Sequence, residues 1–214
     1  MGWRLAVAIS RLGGRDLSDL IDEIYGSPQQ LLPSEISAAQ ALYPRNRRNR
    51  YALAYEGFGW IFDWKLFPHV LKRPLPIKPL LSTFVLQSTV NWYGFSIQED
   101  GAFLRCREGD TDNGITNDDG TPSAAERALV AAQGKPEQGS LAWNAWCDAS
   151  TSFDGTFDSV RHDVMGEGVV FGLMKELVGF RLDEASPHEA AFMSTPVLSI
   201  MKSRPKTAIS WLFR

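Results

Sequence analysis

Residues 92–107 read Trp92-Tyr93-Gly94-Phe95-Ser96-Ile97-Gln98-Glu99-Asp100-Gly101-Ala102-Phe103-Leu104-Arg105-Cys106-Arg107. Asp-Gly between two alternating runs is a hairpin signal, because a type I′ turn needs positive φ at both central residues. The period of two predicts strands on either side. Tyr93, Phe95 and Ile97 fall on one face of the first strand, and Phe103 and Arg105 alternate with Leu104 and Cys106 on the second. A similar pattern lies upstream. Residues 51–55 and 58–64 predict two strands joined near Glu56-Gly57, with Phe58, Trp60, Phe62 and Trp64 sharing one face.

Outward from these hairpins the chain reads strand, then helix. Trp3 to Ile9 predicts a first strand that ends at Gly13-Gly14. Asp16 stands at an N-cap position, and Leu17, Leu20, Ile21 and Ile24 form one apolar stripe of a helix closed by Gly26. A short helix is expected within residues 34–42, stopping before Pro44. Pro68, Pro74, Pro76 and Pro79 make residues 66–81 a connection with at most one helical turn. Residues 83–90 predict a strand, and residues 108–121 a polar, acidic loop. Ser123 with Glu126 has the form of a capping box, so a helix is expected from there to about residue 133. Residues 169–178, followed by Gly179, predict a further helix. Residues 195–202 are read as a last helix. This order predicts an α+β fold, with a mostly antiparallel sheet built from hairpins and helices packed on one face. One domain is expected over residues 1–182, with 183–214 as a C-terminal extension docked on it.

Composition narrows the function classes. The chain has 214 residues, 22 Lys and Arg against 25 Asp and Glu, and a formal net charge of −3. That balance argues against a globally basic nucleic-acid binder, and ordinary hydrophobicity argues against disorder. The apolar run Leu5 to Ile9 is too short for a signal-peptide core, and no stretch reaches the length of a membrane span. Cys106 and Cys147 lie in no metal-like pair and read as free, buried thiols. A cytoplasmic location is expected. The seven Trp, twelve Phe and five Tyr serve a core or an interface equally well. Trp143, Trp146, Phe153, Phe157 and Trp211 fit no period and are the aromatics expected to meet a partner.

Candidate chemistry is sparse. From Asp110 an EF-hand register fails, because Gly114 stands at position 5, Ile115 at position 6 and Thr121 at position 12. Asp154, Asp158 and His162 recur every four residues and would share a helix face, a possible metal site, but Gly155, Thr156 and Ser159 disfavour that helix. Neither a P-loop nor a dinucleotide fingerprint is present. No cofactor is expected.

Two charged segments remain. Asp110, Asp112, Asp118 and Asp119 form an acidic one; Arg45, Arg47, Arg48 and Arg50 put four arginines in six residues. Interfaces draw on arginine and aromatic anchors within polar rims. These eight residues are therefore the candidate partner-binding set.

Met1-Gly2-Trp3 opening the first strand, Trp92-Tyr93-Gly94-Phe95-Ser96 before Glu99-Asp100-Gly101, and Glu176-Leu177-Val178-Gly179-Phe180-Arg181 ending a late helix resemble uncharacterised bacterial domain families, some of which look like toxin-immunity modules. Residues 183–214 depart from that pattern. The resemblance implies a non-catalytic protein-binding module, most specifically an immunity protein that neutralises a cognate toxin. The alternatives are a metal-dependent or hydrolytic enzyme using the Asp/His cluster, and a nucleic-acid module using the arginine loop.

Overall fold

β1 (Arg4–Arg11) is apolar on both of its faces, from Leu5 to Ile9. Only a strand covered on both sides tolerates that pattern. A computed structural model describes residues 3–44, 46–87, 92–110, 114–127 and 162–202. It places β1 in the middle of a nine-stranded sheet, order β2-β9-β3-β4-β1-β5-β6-β7-β8. The other strands are β2 (Gln29–Ser37), β3 (Tyr51–Tyr55), β4 (Phe58–Phe62), β5 (Leu81–Gln87), β6 (Trp92–Glu99), β7 (Ala102–Asp110), β8 (Gly114–Gly120) and β9 (Pro196–Lys202). Every neighbouring pair is antiparallel.

Both expected hairpins form. Glu56 and Gly57 have φ of 48° and 79°, and Asp100 and Gly101 have φ of 48° and 74°. These are the paired positive values that a type I′ turn requires. α1 (Leu17–Tyr25) follows β1 as expected, burying Leu20, Ile21 and Ile24 and ending at Gly26 in the left-handed conformation. α3 (Phe67–Val70) is the single helical turn of the proline-rich connection. α4 (His162–Val178) ends at Gly179, with φ of 88°.

Several expectations are corrected. Helices cover both faces of the sheet, not one. Leu5, Val7 and Ile9 pack with α2 (Ala38–Leu42), α4 and Phe192 of α5 (Pro187–Ser194). Ala6 and Ala8 pack with α1 and α3 on the other side. Trp64 joins this second side rather than the face of Phe58, Trp60 and Phe62.

Residues 108–110 and 114–120 are strand, not loop. β7 runs to Asp110, and β8 pairs with it from Gly114 to Gly120. The Asp, Asn and Gly content that suggests turns belongs to an edge strand, where polar and charged residues deter pairing with another chain.

Residues 195–202 are a strand, not a helix. β9 inserts between β2 and β3, so the segment read as a docked extension supplies an internal strand through Lys202. Its partner β2 spans residues that the sequence assigns partly to a helix. α2 begins only at Ala38, where Ser37 N–H donates to Gln40 Oε1 at 2.9 Å. Among the described residues, no helix is long and apolar enough to cross a membrane.

Candidate functional site: a basic cleft at the β3–β9 junction

The two charged segments take opposite positions. On the acidic side, Arg107 stands directly across from Asp118, and Arg105 across from Gly120. Asp118 is thus opposite one arginine and diagonal to the other, within reach of both. Arg107 Nη1 donates to Asp118 Oδ2 at 2.6 Å, and Arg105 Nη1 donates to Asp118 Oδ1.

Arg105 Nη1 also donates to the carbonyls of Asp119 and Gly120, at 3.0 and 3.2 Å. Glu126 completes the group. Its carboxylate accepts from Arg105 Nε and Nη2 at 2.8–3.1 Å. It also accepts from Ser123 N–H at 2.7 Å, while Ser123 Oγ accepts from Glu126 N–H at 3.1 Å. The expected capping box therefore forms, and its glutamate also pairs with a buried arginine.

Arg105, Arg107 and Glu126 are buried. Burial works against the charge on Arg105, but Glu126 and Asp118 outweigh it and raise its pKa. Burial likewise raises the pKa of the Tyr93 hydroxyl, to which Arg107 Nε donates at 3.5 Å. Two arginines and two carboxylates at these distances form an internal ion network. Such networks add little net stability over apolar packing, but leaving one member without its partner is costly. Asp118 is thereby committed to the protein's own arginines. Asp119 keeps its side chain at the surface, and Asp110 ends β7 half-buried. Asp112 lies outside the described residues.

On the basic side the charge faces outward. Asn46 shapes the loop: its Oδ1 accepts from Arg48 N–H at 2.9 Å and its carbonyl from Asn49 N–H at 3.0 Å. This is the Asx-turn chemistry that makes Asn frequent in turns. Arg47 lies over the Trp64 ring at 4.6 Å and Arg50 over the Tyr25 ring at 4.8 Å. The Tyr25 ring is fixed in turn by its hydroxyl, which donates to the buried Asp63 carboxylate at 2.7 Å. Burial and Asp63 together raise the Tyr25 pKa above the usual tyrosine value. Aromatic faces hold a guanidinium in place without cancelling its charge. Arg45 lies outside the described residues.

β3 begins at Tyr51, while β9 runs on to Lys202. Their pairing is confined to Tyr51 with Ser199 and Ala52 with Leu198, extended by Ile200 N–H donating to Arg50 O at 2.9 Å. Where the strands part, a cleft of about 360 Å³ opens, lined in part by Arg48, Asn49, Arg50, Ser199, Met201 and Lys202. Among the described residues no carboxylate lines it. Arg47, Arg48, Arg50 and Lys202 make no ion pair with any described residue. Beside it, Met201 is 52% exposed and Leu32 40%. Gln30 pairs with Met201 and Leu32 with Ser199, so these apolar side chains are diagonal neighbours on one face.

Sequence reading found the arginine loop but missed Lys202, Met201, Ser199 and Leu32, because it took their segments for helix or connection. Arg105 and Arg107 were placed on a strand without their partners. Their spacing of two, facing an acidic segment across a turn, was the available signal.

Other chemistry is absent or quiet among the described residues. None of them forms a group of three or more His, Cys, Asp or Glu placed to hold a metal ion. Asp154 and Asp158 lie outside the described residues, as does the side chain of His162; so do Cys147, Trp143, Trp146, Phe153, Phe157 and Trp211. Cys106 is buried and free. Its Sγ donates to Leu71 O at 3.3 Å, and burial, with Glu108 nearby, pushes its pKa up to about 12. A nucleophilic cysteine needs the opposite shift. His188 is exposed, with Nδ1 3.3 Å from Glu56 Oε1.

No protein-family model matches the chain, and no curated protein or solved structure matches it.

Proposed function

We propose that this chain is a non-catalytic binding module that engages an acidic protein partner through the arginine loop, the cleft beside it and the adjoining β2–β9 face. In its most specific form it is a bacterial immunity protein, acting in the cytoplasm, that occludes a cognate toxin. One observation carries the reading: Arg47 and Arg50 are fixed over aromatic rings and form no ion pair with a described residue, next to the exposed apolar pair Leu32 and Met201.

Exposed apolar residues beside ordered cations suit an apolar contact within a charged rim. Ordered arginines lose little freedom on binding. Charge at a rim speeds encounter with an oppositely charged surface and suppresses the wrong partners. The toxin-immunity form of the proposal draws on the resemblance described above.

The test is co-expression with the protein encoded by the neighbouring gene. A complex that co-elutes on size exclusion, and that Arg48→Glu/Arg50→Glu disrupts, supports the proposal. Failure to form a complex, together with no protection from that protein's toxicity, refutes it.

A further inference from the structure

A second concavity lies elsewhere on the molecule. It is a groove of about 640 Å³ between the end of α3 and the tip of the β6–β7 hairpin. Its size falls within the range of small-molecule sites, roughly 300–1,000 Å³. His69, Lys72 and Arg73 line it, together with Pro74, Leu75, Pro76 and Gly101. The side chains of His69, Lys72 and Arg73 make no ion pair with a described residue. The lining therefore joins a cationic group, without a counter-ion among the described residues, to an apolar wall.

That wall is preformed. Leu75 N–H donates to Gln98 Oε1 at 3.0 Å, and Lys78 N–H to Glu23 Oε1 at 3.0 Å. The hairpin tip docks on the same segment through Asp100 N–H to Lys78 O at 3.1 Å and Gly101 N–H to Ile77 O at 3.0 Å. Ile77 is buried as the anchor. Proline at 74 and 76 fixes φ at two further points. A wall held this way gives up little entropy when a ligand binds. The amide of Gln98 carries a further sign. Its oxygen is committed to Leu75, while its Nε2 is buried with no hydrogen-bond partner among the described residues. One unused donor therefore sits behind the apolar wall, close to Leu75.

We propose that this groove binds a small organic acid with an apolar body, the acid against Lys72 and Arg73 and the body along Pro74, Leu75 and Pro76. Charge complementarity selects the anionic head, and the proline–leucine wall selects the apolar body. The site is independent of the partner surface, since β4, β1 and β5 lie between β3 and β6 in the sheet.

Calorimetric titration of the full chain with octanoate tests it, with acetate and 1-octanol as the head-only and body-only arms. Octanoate is expected to bind saturably at one per chain, with acetate and octanol at least about tenfold weaker. Lys72→Gln/Arg73→Gln should weaken octanoate at least about tenfold without moving the unfolding midpoint, because both side chains are exposed and form no ion pair with a described residue. Arg47→Gln/Arg48→Gln should leave octanoate binding unchanged. In the wild-type protein, the His69 ring resonances should shift on titration. The proposal is overturned by the absence of saturable binding at millimolar octanoate, by octanol binding equally well, by wild-type affinity in the Lys72/Arg73 variant, or by an unmoved His69 signal.

Discussion

The acidic segment at 110–119 and the basic segment at 46–50 are both polar and rich in Asp, Asn, Gly or Arg; the first runs into β8 and the second leads into β3. One turns its central charge inward and the other displays it. The difference lies in what the neighbouring strand offers. β7 presents Arg105 and Arg107 at strand spacing, so pairing β8 against it brings Asp118 to two guanidinium groups at once. The elements around residues 46–50 present aromatic rings instead, Trp64 and Tyr25. Rings order an arginine and leave it charged. A charge run in sequence therefore becomes scaffold or surface according to its partners across the fold.

The sharpest way to break this comparison is to remove a carboxylate from the buried group. Glu126→Ala leaves Arg105 short of its main partner in a buried setting. Breaking such a pair from one side costs about 3–5 kcal/mol, and urea unfolding should show a loss of that order. A loss below about 1 kcal/mol would place the network among surface pairs and erase the distinction.

Gly120→Ala tests the β7–β8 register that aims Asp118. Gly120 has φ of 85°, and a Cβ there would lie 2.1 Å from Leu104 O. Left-handed strain alone costs about 1–3 kcal/mol, and the clash adds to it. A stability loss of at least about 2 kcal/mol is expected by the same measurement. A neutral substitution would mean that β8 does not pair in this register.

A smaller effect concerns alkaline pH. The folded state raises the pKa of Cys106 to about 12 and raises that of Tyr25 as well, so it favours their protonated forms. Their contribution is complete below the ordinary thiol value of about 8.5. It falls as pH rises, because the unfolded chain ionises first, and for the thiol it is lost through about pH 12. Urea midpoints at pH 8, 9.5 and 10.5 should decline in that order. Cys106→Ser should flatten the decline, and an unchanged slope would contradict the thiol's part in it.

The smallest expected effect belongs to the basic side. Arg47→Ala removes an exposed cation–π contact, worth about 0.5–1 kcal/mol. Unfolding should barely move, in contrast to Glu126→Ala. A loss above about 2 kcal/mol would make the loop part of the scaffold.

Local signals carried much of the fold. Asp16 to Gly26, Glu56-Gly57 and Asp100-Gly101 each encode their structure within a few residues. Ser123 and Glu126 were legible for the same reason, though nothing local revealed that Glu126 also pairs with Arg105. β2 and β9 were not legible, because Gln29 pairs with Lys202 across most of the chain and Pro33 interrupts the strand pattern. The second helical layer was written in Leu5-Ala6-Val7-Ala8-Ile9, whose continuous apolar run implies cover on both faces. Of the candidate site, the arginines were visible as composition. Lys202, Met201 and Leu32 were not, since their proximity exists only once β9 enters the sheet.

The most direct test of the central claim is the equilibrium affinity for the neighbour-encoded protein, measured at fixed salt for two charge reversals. Arg48→Glu/Arg50→Glu should weaken binding by about 100-fold or more, and Asp119→Lys by less than about threefold. Equal losses, or the larger loss at Asp119, would contradict the assignment of the basic cleft as the partner-binding surface.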